Sequence, residues 1–298
     1  MIPLPRPWGP YAVRSETIST PETSGSVLDI EDIGPVRRLT MNRPEALNAL
    51  NGELLESMQR ALSDAAADDA VRVLILRGAG RAFCSGYDLN EDANAGTKDS
   101  QGWYAELKHS ADDMLAFFDH PKPIVAQVHS YCLAGGCDLM MVCDLCVCSD
   151  DARFGEPEIR FGSGVVTMVM PWILGARRAK EFLFTGEDRI SADDAKAIGL
   201  VNRVVPRDEL DAATLDLANE IAKNDPFAVS LQKKAINQMW EVAGFREAID
   251  ANVALDTLIE TADLPEREEF RSITLERGLK KAIEWRDARF REQHGGDA

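Results

Sequence analysis

The chain has 298 residues, 45% hydrophobic and 28% charged, enough to bury one large core and to leave room for a small satellite domain. Thirty-three basic against fifty acidic residues leave a formal charge of −17, a field that repels nucleic acid and disfavours a membrane-surface role, so any anionic ligand must be held by local donors. No run approaches the ~18 apolar residues of a spanning helix, and the opening "MIPLPRPWGPYAVRSETISTPETSG" has no apolar h-region and carries acids, so the expected location is cytoplasmic.

In chain order, residues 1–26 are rich in Pro, Ser and Thr and read as a flexible arm. From about Val27 strands and helices alternate. "PVRRLTMN" reads as a strand closed by the turn "NRPEALNAL". A helix follows from Asn51, with Leu54, Leu55, Met58, Ala61, Leu62 and Ala65 on one face. "VRVLILRG" is apolar almost throughout, the pattern of a strand buried on both sides. "RAFCSGYDL" is a short strand ending in a glycine turn, and Asn90 to Asp99 read as a polar, mobile segment. A helix over Trp103 to Phe118 is broken by "DHPKP". "PIVAQV", "DLCVCSD" and "ARFGEPEI" read as strands, with a helix starting on the glycines of "AGGCDLMMVC". Beyond Gly162 the pattern is mostly helical to Phe290, so the fold class is α/β with a helical tail.

The six cysteines include a C-x-x-C in "CDLCVC" (Cys143, Cys146, Cys148). None of the four histidines is placed to complete a zinc site. Cys146 and Cys148 alternate in a strand, where cysteine acts as a small buried hydrophobe, so structural thiols and no metal are expected.

"LAGGCDL", Leu133 to Leu139, places two glycines and an acid at a strand-to-helix junction. Glycine there lets backbone approach a ligand, and a helix start leaves N–H groups unpaired beside which negative charge is favoured. Together with "MNRPEALNALN" (41–51), "RAFCSGYDL" (81–89), "RFGEPEIRFG" (153–162) and "TGEDRISADDAKAIGLVNRVVP" (185–206), its order and spacing resemble the enoyl-CoA hydratase/isomerase (crotonase) superfamily over about residues 27–260. The resemblance implies a spiral of ββα units over 27–206, a C-terminal helical region over 207–298, and homotrimers or homohexamers.

It also implies site roles. The backbone N–H groups of Tyr87 and Gly135 would hold a thioester oxygen as it becomes enolate-like. Gly86 and Gly136 would shape those turns, although all these glycines also suit plain tight turns. Asp138 stands where the family's hydratases usually carry glutamate, and Glu158 matches the second catalytic glutamate. Asp138 would orient a water, while Glu158 would take its proton and protonate C2. The plainer alternatives are a helix-start acid for Asp138 and a loop ion pair for Glu158. Aspartate is shorter by about 1.5 Å, which puts the acyl group or the rate in question. The family's dienoyl-CoA isomerases pair an aspartate here with a further acid after Gly162, and "GSGVVTMVM" offers none.

For coenzyme A, Ala46 and Leu47 match the turn that packs on adenine and pantetheine, and Ser85, Gly86, Asp88 and Leu89 match the strand end along the CoA arm. Arg43, Arg81, and Lys280 or Lys281 of this chain or a neighbour are candidates for the phosphates, each equally well a solvated surface charge. Trp103, Tyr104 and Leu107 are candidates for the acyl pocket or an ordinary core face. The reading is a 2-enoyl-CoA hydratase whose substrate is an acyl-CoA thioester, with no cofactor beyond that CoA. Alternatives are a Δ3-Δ2 isomerase or acyl-CoA hydrolase of the same superfamily, or a non-catalytic acyl-CoA-binding protein.

Overall fold

The computed structural model describes residues 25–94 and 98–291; the expected N-terminal arm falls outside these, apart from its last two residues. The first half of the chain comprises β1 (Leu28–Ile33), β2 (Val36–Met41), α1 (Gly52–Ala67), β3 (Val73–Gly78), β4 (Ala82–Cys84), α2 (Leu89–Asn94), α3 (Ser100–Asp119), β5 (Ile124–Val128), β6 (Tyr131–Leu133) and α4 (Gly135–Met141). Then come β7 (Leu145–Ser149), β8 (Arg153–Gly155), α5 (Met170–Leu174), α6 (Ala176–Thr185), β9 (Ile190–Ser191), α7 (Ala192–Ala197) and β10 (Arg203–Val205). The tail is α8 (Leu210–Ala222), α9 (Pro226–Val242), α10 (Phe245–Glu260), α11 (Pro265–Arg277) and α12 (Leu279–Arg291).

Two sheets result, ordered β1-β2-β3-β5-β7-β10 and β4-β6-β8-β9. Successive strand pairs split between them: β3, β5 and β7 enter the large sheet, and β4, β6 and β8 the small one. Pairing is parallel except β1 with β2 and β8 with β9. This is the spiral of ββα units that the resemblance implied.

The continuous apolar runs follow from burial on both faces. Leu74 and Leu76 of β3 face the main core while Val73 and Ile75 face a second cluster. In β7, Cys146 and Cys148 point into the main core and Val147 the other way. Burial pushes the Cys146 thiol well above its usual range and that of Cys148 to about 12. Helix α1 starts on Asn51, whose side chain accepts from the Leu54 N–H at 3.1 Å. It buries Leu54, Met58 and Leu62, each worth about 1.5–3 kcal/mol against exposure.

Beyond Gly162 the chain is mostly helical, as read, and β9 and β10 add an edge strand to each sheet; at two and three residues they are too short to show a period. The polar stretch from Asn90 is partly helix, through α2, while 95–97 lie outside the described residues. The helices of the tail pack in three places. Helix α8 covers the large sheet through Leu210, Ala218 and Ala222, α10 sends Phe245, Ile249 and Val253 into the main core, and α11–α12 close a small cluster around Phe161. Among the described residues no helix is long and apolar enough to cross a membrane.

Candidate active site

Two tight turns meet where the small sheet leads into α4. Gly86 has φ +101°, and a Cβ there would sit 2.6 Å from that of Ala134. A Cβ on Gly135 would sit 2.7 Å from the Tyr87 ring, and one on Gly136 2.7 Å from the Cys84 carbonyl oxygen. Close approach therefore demands glycine at all three places. Ala134, between the turns, holds φ 55° and ψ −137°, a conformation costly for a residue with a side chain.

Leu50 bridges Tyr87 in the parallel sense: its N–H donates to Gly86 O at 2.8 Å and its carbonyl accepts from the Asp88 N–H at 3.0 Å. That geometry turns the Tyr87 N–H away from Leu50. Among the described residues neither the Tyr87 nor the Gly135 N–H has an acceptor.

Asp138 lies one turn into α4 and is 1% exposed. It caps nothing in its own helix; its Oδ2 accepts from the Thr167 N–H at 3.3 Å, and Oδ1 has no partner among the described residues. Glu158 opens the 3-10 turn Glu158–Phe161, closed by Gly162 at φ 81°. An Arg160–Asp188 ion pair at 3.0 Å and stacking of Phe161 on Phe270 at 4.8 Å fix that turn. Glu158 makes no ion pair among the described residues. Both acids line one cavity of about 130 Å³, walled by Tyr87, Leu89, Trp103, Leu107 and Val166. Tyr104 is not part of that wall and is largely exposed.

Burial, then the Glu158 charge, holds the Asp138 carboxyl well above the usual carboxylate range. Burial raises Glu158 to about 7, against the lowering effect of its own backbone N–H and of Arg286. Glu156, 1% exposed, is pushed well above its usual value by burial and by Glu158. Two carboxyls in one cavity, one of them half-ionised near neutrality, can both take up and deliver protons.

The enoyl-CoA hydratase/isomerase family model matches residues 33–293. The chain belongs to this family. It is 36% identical to the short-chain-enoyl-CoA hydratase of Clostridium acetobutylicum over 76% of this chain and 85% of that protein. It is 31% identical to the mitochondrial enoyl-CoA hydratase of Pongo abelii, over 86% and 83% respectively. A crystal structure of an enoyl-CoA hydratase/isomerase from Xanthobacter autotrophicus Py2 superposes with a TM-score of 0.86 at 42% identity, covering 89% of this chain and 99% of that one.

In this enoyl-CoA hydratase/isomerase family member the residues matched to the CoA arm come together. The Ser85 N–H donates to Leu47 O at 3.1 Å, and Ser85 Oγ to Ala46 O at 3.4 Å. Sequence reading missed the residue that shapes this turn, Asn48. Fully buried at φ 56°, it accepts from the Arg43 N–H at 3.0 Å and donates to the carbonyls of Ala79 and Ala82, both at 2.9 Å. Arg43 and Asp88, read as separate CoA contacts, are bonded to one another at 2.8 Å and brace the two turns. Lys281 pairs with Glu284 at 2.6 Å, whereas Arg81 and Lys280 are exposed and without an ion pair among the described residues.

Sequence reading also missed three cavity residues from the tail: Asp256 and Glu260 on α10, and Arg286 on α12. The segment after Gly162 offers no acid, as read, but α10 brings two from far along the chain. In the sequence their mark is only the four-residue spacing of Asn252, Asp256 and Glu260, on a helix that also carries Arg246, Glu247 and Asp250.

Proposed function

We propose that this chain is an enoyl-CoA hydratase, adding water across the 2,3 double bond of a 2-enoyl-CoA to give a 3-hydroxyacyl-CoA. The observation that carries the reading is the opening of the Asp138 and Glu158 carboxyls into one cavity. Glu158, as carboxylate, takes a proton from water as its oxygen attacks C3, and returns a proton to C2. Asp138, held by the Thr167 N–H, orients that water. The thioester oxygen gathers negative charge meanwhile, and the Tyr87 and Gly135 N–H groups receive it in this reading, a form of stabilisation worth roughly 3–4 kcal/mol per donor elsewhere. Carboxyls handle both proton transfers, so the proposal includes no cofactor beyond the substrate's own coenzyme A.

The CoA arm runs along Ala46, Leu47 and Ser85–Leu89, with Arg81 and Lys280 as the cations still available to its phosphates. The enzyme acts in the cytoplasm, in breakdown of fatty or related acyl-CoA. It assembles as a homotrimer or homohexamer, a reading supported by the apolar side of α9, where Phe227, Leu231, Met239 and Val242 are exposed. Presence of both acids favours hydration over single-acid isomerisation and over a non-catalytic binding role. Incubation with a panel of 2-enoyl-CoA thioesters tests the reading. Products heavier by one water, with loss of the conjugated absorbance, support it; free acid plus CoA, or an isomer of unchanged mass, sinks it.

A further inference from the structure

Helix α10 turns Asn252, Asp256 and Glu260 toward the loop 163–167. Asn252 Nδ2 donates to the carbonyls of Val165 and Val166 at 2.8 and 3.0 Å. Glu260 Oε1 accepts from Ser163 Oγ at 2.5 Å and from the Gly164 N–H at 3.3 Å, and its Oε2 lies 3.5 Å from Arg267. These two side chains clamp the loop that in turn holds Asp138. Asp256, between them, does neither. It is 2% exposed, neither carboxyl oxygen has a hydrogen-bond partner among the described residues, and it lines the cavity shared by Asp138 and Glu158.

Space is made for that carboxyl. A Cβ at Gly164 would fall 1.8 Å from Asp256 Oδ1, so any larger residue at 164 would displace the acid. An unpaired buried carboxyl is costly, and the loop clamp does not use it. A group that penalises the free protein and faces the substrate cavity is explained by a partner that arrives with the substrate.

We propose that Asp256 is a substrate-binding residue that selects 2-enoyl-CoA thioesters carrying a hydroxyl on the acyl chain beyond C3, by hydrogen bonding that hydroxyl. A fully apolar chain would leave the acid unpaired. A terminal carboxylate would crowd in beside the carboxyls of Asp138, Glu158 and Glu260, against the guanidinium of Arg286 in the same wall. A hydroxyl both donates and accepts, so it satisfies the acid in either protonation state. Burial and Glu260 bring Asp256 to about 7, so both states are populated near neutrality. The inference rests on the hydratase reading.

The test compares kcat and KM for hydration of 2-hexenoyl-CoA and its 5-hydroxy, 6-hydroxy and terminal-carboxylate derivatives by wild type, Asp256→Asn and Asp256→Leu. Wild type should favour one hydroxy derivative at least ~10-fold in kcat/KM, mainly through KM, because a polar site penalises the analogue that leaves it unpaired. Asp256→Asn should keep the preference, since an amide also bonds a hydroxyl, and Asp256→Leu should lose or invert it. Equal use of plain and hydroxylated chains by wild type overturns the inference whether or not the variants fold, as does a preference that survives in Asp256→Leu. Failure to hydrate any of the thioesters would instead refute the hydratase reading itself, and this inference with it.

Discussion

Asp138 is a short acid, and the fold brings a partner to it. The loop 163–167 comes to it, bringing the Thr167 N–H to 3.3 Å, and α10 holds that loop in place. Asp138→Ala should therefore depress hydration strongly by removing the second anchor of the water, while Glu158 still exchanges the α-proton of a saturated acyl-CoA with solvent. Unchanged hydration would reduce Asp138 to a structural acid. Because Glu158 must be ionised to accept a proton and sits near 7, kcat/KM should rise with pH across that value. A rate that is flat from pH 6 to 8 would place the proton acceptor elsewhere. Both of these acids were legible because they sit in short motifs. Asp256 was not, because only the folding of α10 onto the core brings it to them.

At the scale of elements, the alternation of buried faces explains why β3, β5 and β7 read clearly while β9 and β10 did not. The strands of the spiral centre are apolar on both faces, whereas β9 and β10, at the sheet edges, are two and three residues long. The turns were legible as glycines but not as contacts: Gly135 has no Cβ because the Tyr87 ring occupies its place. Gly135→Ala should push that ring and its N–H out of line and cut kcat at least ~10²-fold, the loss typical of one oxyanion donor. Measured melting temperature and CoA affinity should change much less. Equal losses in stability and turnover would mean that the turn serves folding alone.

For the whole molecule, the buried acids make stability depend on pH in a definite direction. Asp138, Glu156, Glu158 and Asp256 all have raised pKa values, so between about 4 and 7 the folded chain holds protons that the unfolded chain has released. These acids make unfolding free energy fall as pH rises through that window, against the opposite and smaller contribution of buried His120 and His129, whose pKa values are lowered. Asp256→Asn removes one such group, and its melting temperature should exceed wild type by more at pH 8 than at pH 5. A constant difference would show that Asp256 is ionised in both conditions. Assembly was the least legible property, since it depends on a surface and not on a motif. Light scattering should give a trimer or hexamer, and charge placed on the exposed side of α9 through Phe227→Glu and Met239→Glu should yield smaller species. Helix α12 brings Arg286 into the cavity wall of its own chain.

The central claim is that Glu158 moves the protons of a hydration. Crotonyl-CoA turnover in H₂¹⁸O by wild type and Glu158→Gln, with product mass and CoA affinity measured in parallel, tests it most directly. Wild type should incorporate one ¹⁸O at C3, and Glu158→Gln should bind CoA normally while losing at least ~10² in kcat. Wild-type turnover in Glu158→Gln, or a product without the label, would contradict the account.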